Sequence, residues 1–221
     1  MAVPVITIDG PGGSGKGTIA HRLADHLGWH CLDSGALYRI TAVAGQQRGL
    51  LLDDEPALIA MVGRLEIRFE SQHVWVDGQD LAPLIRGEEA GAGASQVGAL
   101  PGLRAALLQR QRDFAVPPGL VADGRDMGTV VFMEAPLKIY LTASAEERAQ
   151  RRYNQLINKG HGVSLPSLLE DIRARDDRDI NRSVAPLRPA DDAVVIDSTQ
   201  MDIEEVLTAV LDLAAQRGLV S

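Results

Sequence analysis

An α/β fold, strands alternating with helices around a phosphate-binding loop, is predicted by three consecutive features near the start of the chain. Val3, Val5, Ile6 and Ile8 form an apolar run long enough for one buried strand and too short to span a membrane. The run breaks into Gly10-Pro11-Gly12-Gly13-Ser14-Gly15-Lys16-Gly17-Thr18. From there the apolar positions take helical spacing at Ile19, Leu23 and Leu27, and Gly28 ends them. Strand, glycine loop, lysine and helix in that order make a site for nucleotide phosphates. Glycines let successive backbone N–H groups turn toward one point, and the helix N-terminus adds partial positive charge there. Lys16 adds a full charge for the β- and γ-phosphates. One position departs from G-x-x-x-x-G-K-[ST]: Gly17 stands where a hydroxyl would hold Mg²⁺, with Thr18 one place later.

Composition narrows the class. With 221 residues and 45% hydrophobic content, the chain fits one domain, or one domain with a sizeable insertion, and has enough apolar material for a core. A net charge of −8 and 4% aromatics argue against a nucleic-acid platform, which needs a basic face and stacking rings. Cys31 is the sole cysteine, so neither a disulfide framework nor a thiolate zinc site is expected. No signal-like or membrane-length apolar segment stands out, and a cytoplasmic protein is expected. Arginine outnumbers lysine 19 to 3, which suits phosphate recognition and equally fits a coding bias.

The remaining elements follow in order. Trp29–Leu32 is a short extended segment running into a helix that Asp33 or Ser34 can cap, with Arg39 about a turn and a half inside it. Leu65–Leu81 reads as a hairpin, because Leu65, Ile67, Phe69, Val74 and Val76 alternate with polar residues and Asp77-Gly78 signals a turn. Helices are predicted over 88–100 and 101–114, carrying Ser95 and Arg104, with Pro101 in a first helical turn. Gly119–Asp123 is a short apolar strand whose terminal acid can orient a metal, directly or through water; Arg125 and Asp126 follow it. Leu137–Leu141 and Ala193–Ile196 are further buried strands. The closing helix carries Ile203, Val206, Leu207, Val210 and Ala214 on one face, with Asp202 and Glu205 as a capping box.

Between the last two strands lies the most arginine-dense region. Arg148, Arg151 and Arg152 fall at i, i+3 and i+4 and share a helical face, where like charges repel unless an anion visits. With the break at Gly160-His161-Gly162, this reads as a lid closing over phosphates. In the next helix Leu165, Leu168, Leu169 and Ile172 form an apolar row that continues as Arg175, Asp179 and Arg182, with Arg178 beside it. Such a row is expected to turn its charged half toward a wet cleft.

Together these segments resemble the bacterial cytidylate kinases through nearly the whole length. The resemblance rests on ITIDGPGGSGKGT, LDSGALYR, ASQV with PGLRAALLQRQRDF, LVADGRDMGTVVF, SAEERAQRR and RARDDRDINRSVAPLRPADDAVVIDST. It implies a P-loop NTPase fold of three α/β/α layers with a parallel five-stranded core sheet, a small inserted substrate-binding subdomain containing the hairpin, and a helical lid. The core then covers about 1–62, 115–147 and 183–221, the insertion about 63–114, and the lid with its flanking helices about 148–182. It implies a monomer that transfers the γ-phosphoryl of ATP, with Mg²⁺, to CMP or dCMP. Gly10 to Thr18 would hold ATP, and Lys16 with the lid arginines Arg148, Arg151 and Arg152 would neutralise charge on the transferred group. Ser34 would belong to the CMP site. Arg39, Arg125 and Arg182 would hold the CMP phosphate; Ser95, Arg104 and Asp126 would read the cytosine edge; Arg175 and Asp179 would reach the sugar. The metal ligands stay open.

Cytosine presents an amino donor where uracil presents a carbonyl, so a carboxylate at that edge discriminates between them. Met133-Glu134 departs from the family's proline-acid pair after VVF, and the insertion around Ser71–Val76 is short; neither touches an assigned residue. Two rivals stand beside this reading: a kinase for UMP, AMP or shikimate, and a GTP-dependent switch protein. The switch would need a guanine-reading Asn-Lys-x-Asp, and Asn158-Lys159-Gly160-His161 lacks the acid.

Overall fold

Five consecutive buried residues, Val5–Asp9, form β1, the centre of the computed structural model. The described residues are 3–70, 73–158, 160 and 162–220. Flanking β1 are β6 (Leu120–Gly124) and β7 (Leu137–Thr142), with β2 (His30–Asp33) and β8 (Val194–Asp197) at the edges, giving a five-stranded parallel sheet ordered β2-β6-β1-β7-β8. Val5 pairs with Leu120, Ile6 with Leu137 and Ile139 with Val194. A strand buried on both faces carries continuous apolar residues, which is the pattern of Val5-Ile6-Thr7-Ile8. Because the chain leaves β1 between β6 and β7, the loop after it opens at a switch point, where α/β sheets bind ligands.

Flanking helices complete this unit, Met1–Leu32 with Phe114–Ser221. Helix α1 (Lys16–Leu27) buries Ile19, Leu23 and Ala24, and α9 (Ile203–Gln216) adds Val206, Val210 and Ala214 to the same core. Gly28 ends α1 in the left-handed region at φ 64°, and the capping box expected at Asp202 and Glu205 forms with both bonds. A single π-helical turn over Met127–Val131 follows β6, a feature that period and propensity do not foretell. Helices α7 (Ala145–Asn158) and α8 (Leu165–Asn181) pack together. Leu168 is buried and Leu165, Leu169 and Ile172 partly so, as the apolar row predicts. His161, in the expected break, and Lys159 just before that break lie outside the described residues.

The second unit is Asp33–Asp113. In it α2 (Ser34–Gln47) packs on α5 (Glu88–Val97). The helices touch at Gly93, where an added Cβ would lie 2.9 Å from that of Ala42. Helix α3 (Glu55–Val62) packs on α6 (Pro101–Arg112), and Glu55 accepts from the Gly102 and Leu103 amides at the start of α6. Strands β3 (Ile67–Glu70), β4 (His73–Val76) and β5 (Gln79–Asp80) form an antiparallel sheet, with the short α4 (Ala82–Ile85) after it. The expected hairpin therefore gains a third strand, too short to register as periodicity. Asp77 and Gly78 both have positive φ, 49° and 82°, the turn that suits the twist of β4 and β5. Residues 71 and 72, between β3 and β4, lie outside the described set.

Leu23, fully buried between α1 and the sheet, measures the main core. Leu23→Ala is expected to lower unfolding free energy by about 2–5 kcal/mol in urea titration. A loss below about 1 kcal/mol would contradict the packing described.

Candidate active site

The glycine loop departs from β1 with almost no room. A Cβ on Gly10 would lie 2.0 Å from the Leu141 carbonyl oxygen on β7, so only glycine fits there. Gly13 and Gly15 sit at φ 79° and 93°, in the left-handed region that glycine reaches without strain. Gly15 begins α1 without a side-chain cap, and no acid occupies the first turn, so the initial N–H groups face the loop with no built-in anion. Lys16 is buried and donates from Nζ to the Pro11 carbonyl at 3.1 Å, folding back across the loop. Ser14 is buried too, and its Oγ has no hydrogen-bond partner among the described residues. A buried hydroxyl left over beside a lysine and glycine amides fits phosphate oxygens.

Gly17 is explained by its neighbour. A Cβ at 17 would stand 3.0 Å from Asp123 Oδ2, while Asp123 Oδ1 lies 3.9 Å from Lys16 Nζ. The acid ending β6 thus comes up against the spot where the commoner motif carries its hydroxyl side chain. Thr18 is exposed. No group of three or more His, Cys, Asp or Glu side chains among the described residues is arranged to hold a metal. That donor set fits Mg²⁺ arriving with phosphate and water oxygens, since this ion keeps much of its hydration and seldom takes an all-protein cage.

Arginines converge on Gly12. Arg148, 4% exposed, donates from Nη1 to the Gly12 carbonyl at 3.0 Å and from Nε to the Ala143 carbonyl at 2.9 Å. It also pairs through both Nη atoms with Asp176 of α8, at 3.0 and 2.5 Å. Arg125 Nη2 and Arg175 Nη1 lie 3.5 and 3.6 Å from where a Cβ on Gly12 would be. Arg125 Nε donates to Asp179 Oδ2 at 2.8 Å. Burial pushes the Asp179 carboxyl up, but Arg125, Arg175 and Arg182 outweigh it and hold that carboxyl below its usual range. The charged half of the α8 row does turn inward, and Asp179 is 5% exposed.

Arg148, Arg151 and Arg152 share α7 and have separate destinations. Arg151 bonds Glu147 and donates to the Ser198 carbonyl at 2.6 Å, tying α7 to the loop after β8. Arg152 donates to Gln155. Arg182, at the end of α8, donates from Nε to the carbonyl of Ala185, which holds a left-handed φ of 49°.

Sequence reasoning missed Asp9. It is 4% exposed, and its two oxygens accept from the Met127 and Gly128 amides, each at 2.8 Å. An acid closing a buried strand just before a glycine loop was the available signal. Asp126, next to those amides, is 2% exposed.

The second unit carries its own candidates. Asp33, not Ser34, caps α2, accepting from Ala36 N at 3.0 Å. Ser34 instead donates to Gln111 at 2.9 Å, and both are buried. Arg39 has a buried Nε with no hydrogen-bond partner among the described residues. Arg104, 8% exposed, donates to the Gly98 carbonyl and sits 5.5 Å from the Tyr38 ring centroid. Ser95 lies half-buried on α5.

Burial pushes the Asp9 carboxyl up to about 7, against the lowering pull of the Gly128 and Met127 amides, with Asp126 and Asp123 adding to the rise. A carboxyl raised in the folded state binds its proton more tightly there than in the unfolded chain. Stability is therefore expected to fall as pH rises between roughly 4 and 7 on account of this group. Asn cannot titrate, so Asp9→Asn should show a smaller stability loss between pH 5 and pH 8 than wild type in urea titrations. Equal losses would contradict the burial argument.

A model of the cytidylate kinase family matches residues 6–216. Cytidylate kinase of Bordetella bronchiseptica is 60% identical over 96% of this chain and 95% of its own. That of Pseudomonas fluorescens is 58% identical over 99% and 98%. Among solved structures, shikimate kinase from Acinetobacter baumannii covers 99% of this chain and 96% of its own, at 17% identity and a TM-score of 0.44, too loose to add to the topology above. No helix among the described residues is long and apolar enough to cross a membrane. With a family match over residues 6–216 and relatives 58% and 60% identical over nearly the whole chain, the chain belongs to the cytidylate kinase family.

Proposed function

We propose that this chain transfers the γ-phosphoryl of Mg-ATP to CMP or dCMP, yielding ADP and the nucleoside diphosphate. The observation that carries the phosphoryl-transfer reading is the convergence of Arg125, Arg148 and Arg175 on Gly12, in the loop across which Lys16 folds. Four cations gather where a phosphate chain would run, in a protein whose net charge is −8. Family membership supplies the acceptor class.

Gly10 to Thr18 would wrap the ATP phosphates, with Ser14 Oγ and the first α1 amides donating. Asp123, beside Lys16 and Gly17, would help to hold Mg²⁺, which when bound would supply charge neutralisation to the phosphates. Lys16, Arg148 and the remaining lid arginines Arg151 and Arg152 would neutralise the transferring group and exclude water. Phosphoryl transfer needs no covalent help from side chains, only alignment and neutralisation. Arg39, Arg125 and Arg182 would take the CMP phosphate, Arg175 and Asp179 the sugar, and Ser34, Ser95, Arg104 and Asp126 the pyrimidine. The unpartnered Nε of Arg39 supports an anion there. We place the enzyme in the cytoplasm as a monomer acting on small nucleotides, without nucleic-acid or membrane partners.

ADP release from Mg-ATP, with CMP, dCMP, UMP and AMP offered in turn, tests this reading. Strong turnover with CMP and dCMP and weak turnover with UMP is expected. Asp126→Ala should lower the CMP:UMP ratio of kcat/KM by about 5- to 150-fold, since a mismatched buried polar group costs ~1–3 kcal/mol. Turnover with UMP or AMP but not CMP would overturn the acceptor assignment.

A further inference from the structure

The π-helical turn at Met127–Val131 is capped from far away. The Val130 and Val131 amides bond back to the Asp126 carbonyl and that of Phe132 to Met127, which leaves the Met127 and Gly128 amides without an acceptor inside the turn. A residue in the position of Asp126 commonly fills that need with its own side chain, and Asp126 makes no such bond. Asp9 does it instead, from 118 and 119 positions earlier in the chain, with one oxygen on each amide. The parallel ladder of β1 and β6 ends at the pair Asp9 and Gly124. Beyond that pair the backbone no longer registers the two strands' loops, and the Asp9 carboxylate is the link that continues it. On one side stands Gly10, the first residue of the phosphate loop; on the other stand Arg125 and Asp126.

The arrangement is more costly than a cap requires. Asp9 is 4% exposed, among other acids, where a cap from within the turn would avoid burying a charge at that spot. What a carboxylate achieves there, and a local cap does not, is to fix the position of one loop relative to the other while Asp126 keeps its side chain out of its own turn.

We propose that Asp9 is a positioning residue, whose two-pronged bond to Met127 and Gly128 sets the acceptor-binding loop in register with the phosphate loop so that acceptor and donor phosphates meet in line. It touches neither substrate and acts through Arg125 and Asp126. This rests on the acceptor assignment above, so wild-type turnover with CMP is measured first and judges that assignment by itself.

Asp9→Asn keeps the size and one acceptor but faces the second amide with an NH₂ group. Measured against wild type with CMP and UMP as acceptors, it is expected to raise the KM for CMP about tenfold or more and to lower kcat. The CMP:UMP discrimination should fall by a similar factor, while the Kd for a non-hydrolysable ATP analogue stays within about twofold. A general structural weakening would instead reduce both nucleotide affinities together. Gly128→Ala attacks the same link from its other end, since the new Cβ would lie 3.0 Å from Thr7 Oγ1 and 3.1 Å from Lys138 Cδ, and the loop must shift by a few tenths of an ångström. It should show the same pattern at smaller amplitude and serves as the deciding variant if Asp9→Asn does not fold. Unchanged KM for CMP and unchanged discrimination, or an equal loss for ATP and CMP, would overturn the proposal.

Discussion

Arg148 and Arg125 are held in place by two acids of one helix, and the rest of the site depends on that pairing. Three guanidinium groups and an ammonium crowd a short glycine loop, and without counter-charge they would drive one another apart. Asp176 takes Arg148 through two bonds, and Asp179 takes Arg125. Paired guanidinium and carboxylate planes are strong and directional, so the cations stay aimed at the loop instead of spreading into solvent. Breaking a buried pair of this kind by removing one partner costs about 3–5 kcal/mol, because a charge is stranded. Under the function proposed above, phosphate oxygens would take over from the carboxylates, with α8 holding the charge for the incoming anion.

That arrangement is anchored to the sheet rather than to the loops. Gly10 passes so close to Leu141 that the phosphate loop has one exit path from β1. Arg148 grips the Gly12 and Ala143 carbonyls, which fixes the root of α7 against both the loop and the end of β7. Arg151 makes the corresponding tie to Ser198 beyond β8. Helix α7 is thus fastened at its base by Arg148 and Arg151. A site held by central strands keeps its geometry better than one held by free loops, and a reaction that works by alignment needs such geometry.

Much of this was legible from residues alone, for identifiable reasons. Apolar runs as dense as Val5-Ile6-Thr7-Ile8 have few alternatives to a buried strand, and the capping box at Asp202 and Glu205 is a local signal that the structure reproduces. The charged continuation of the α8 row also follows from helical spacing. What stayed hidden depends on partners distant in sequence. Asp33 rather than Ser34 caps α2 because Gln111, 77 positions away, takes the Ser34 hydroxyl. Arg148, Arg151 and Arg152 share a helical face, yet Asp176, Ser198 and Gln155 draw them apart. Asp9 is the same case: an acid closing a strand is visible locally, but its two amide partners lie more than a hundred residues on.

A crystal structure of the chain with CMP and a non-hydrolysable ATP analogue tests the central claim most directly. Guanidinium groups of Arg125, Arg148 and Arg175 on phosphate oxygens, with the Asp176 and Asp179 bonds lengthened or shared, is the predicted result. Nucleotides bound with those arginines still paired only to Asp176 and Asp179, and no phosphate within hydrogen-bond reach of them, would contradict it.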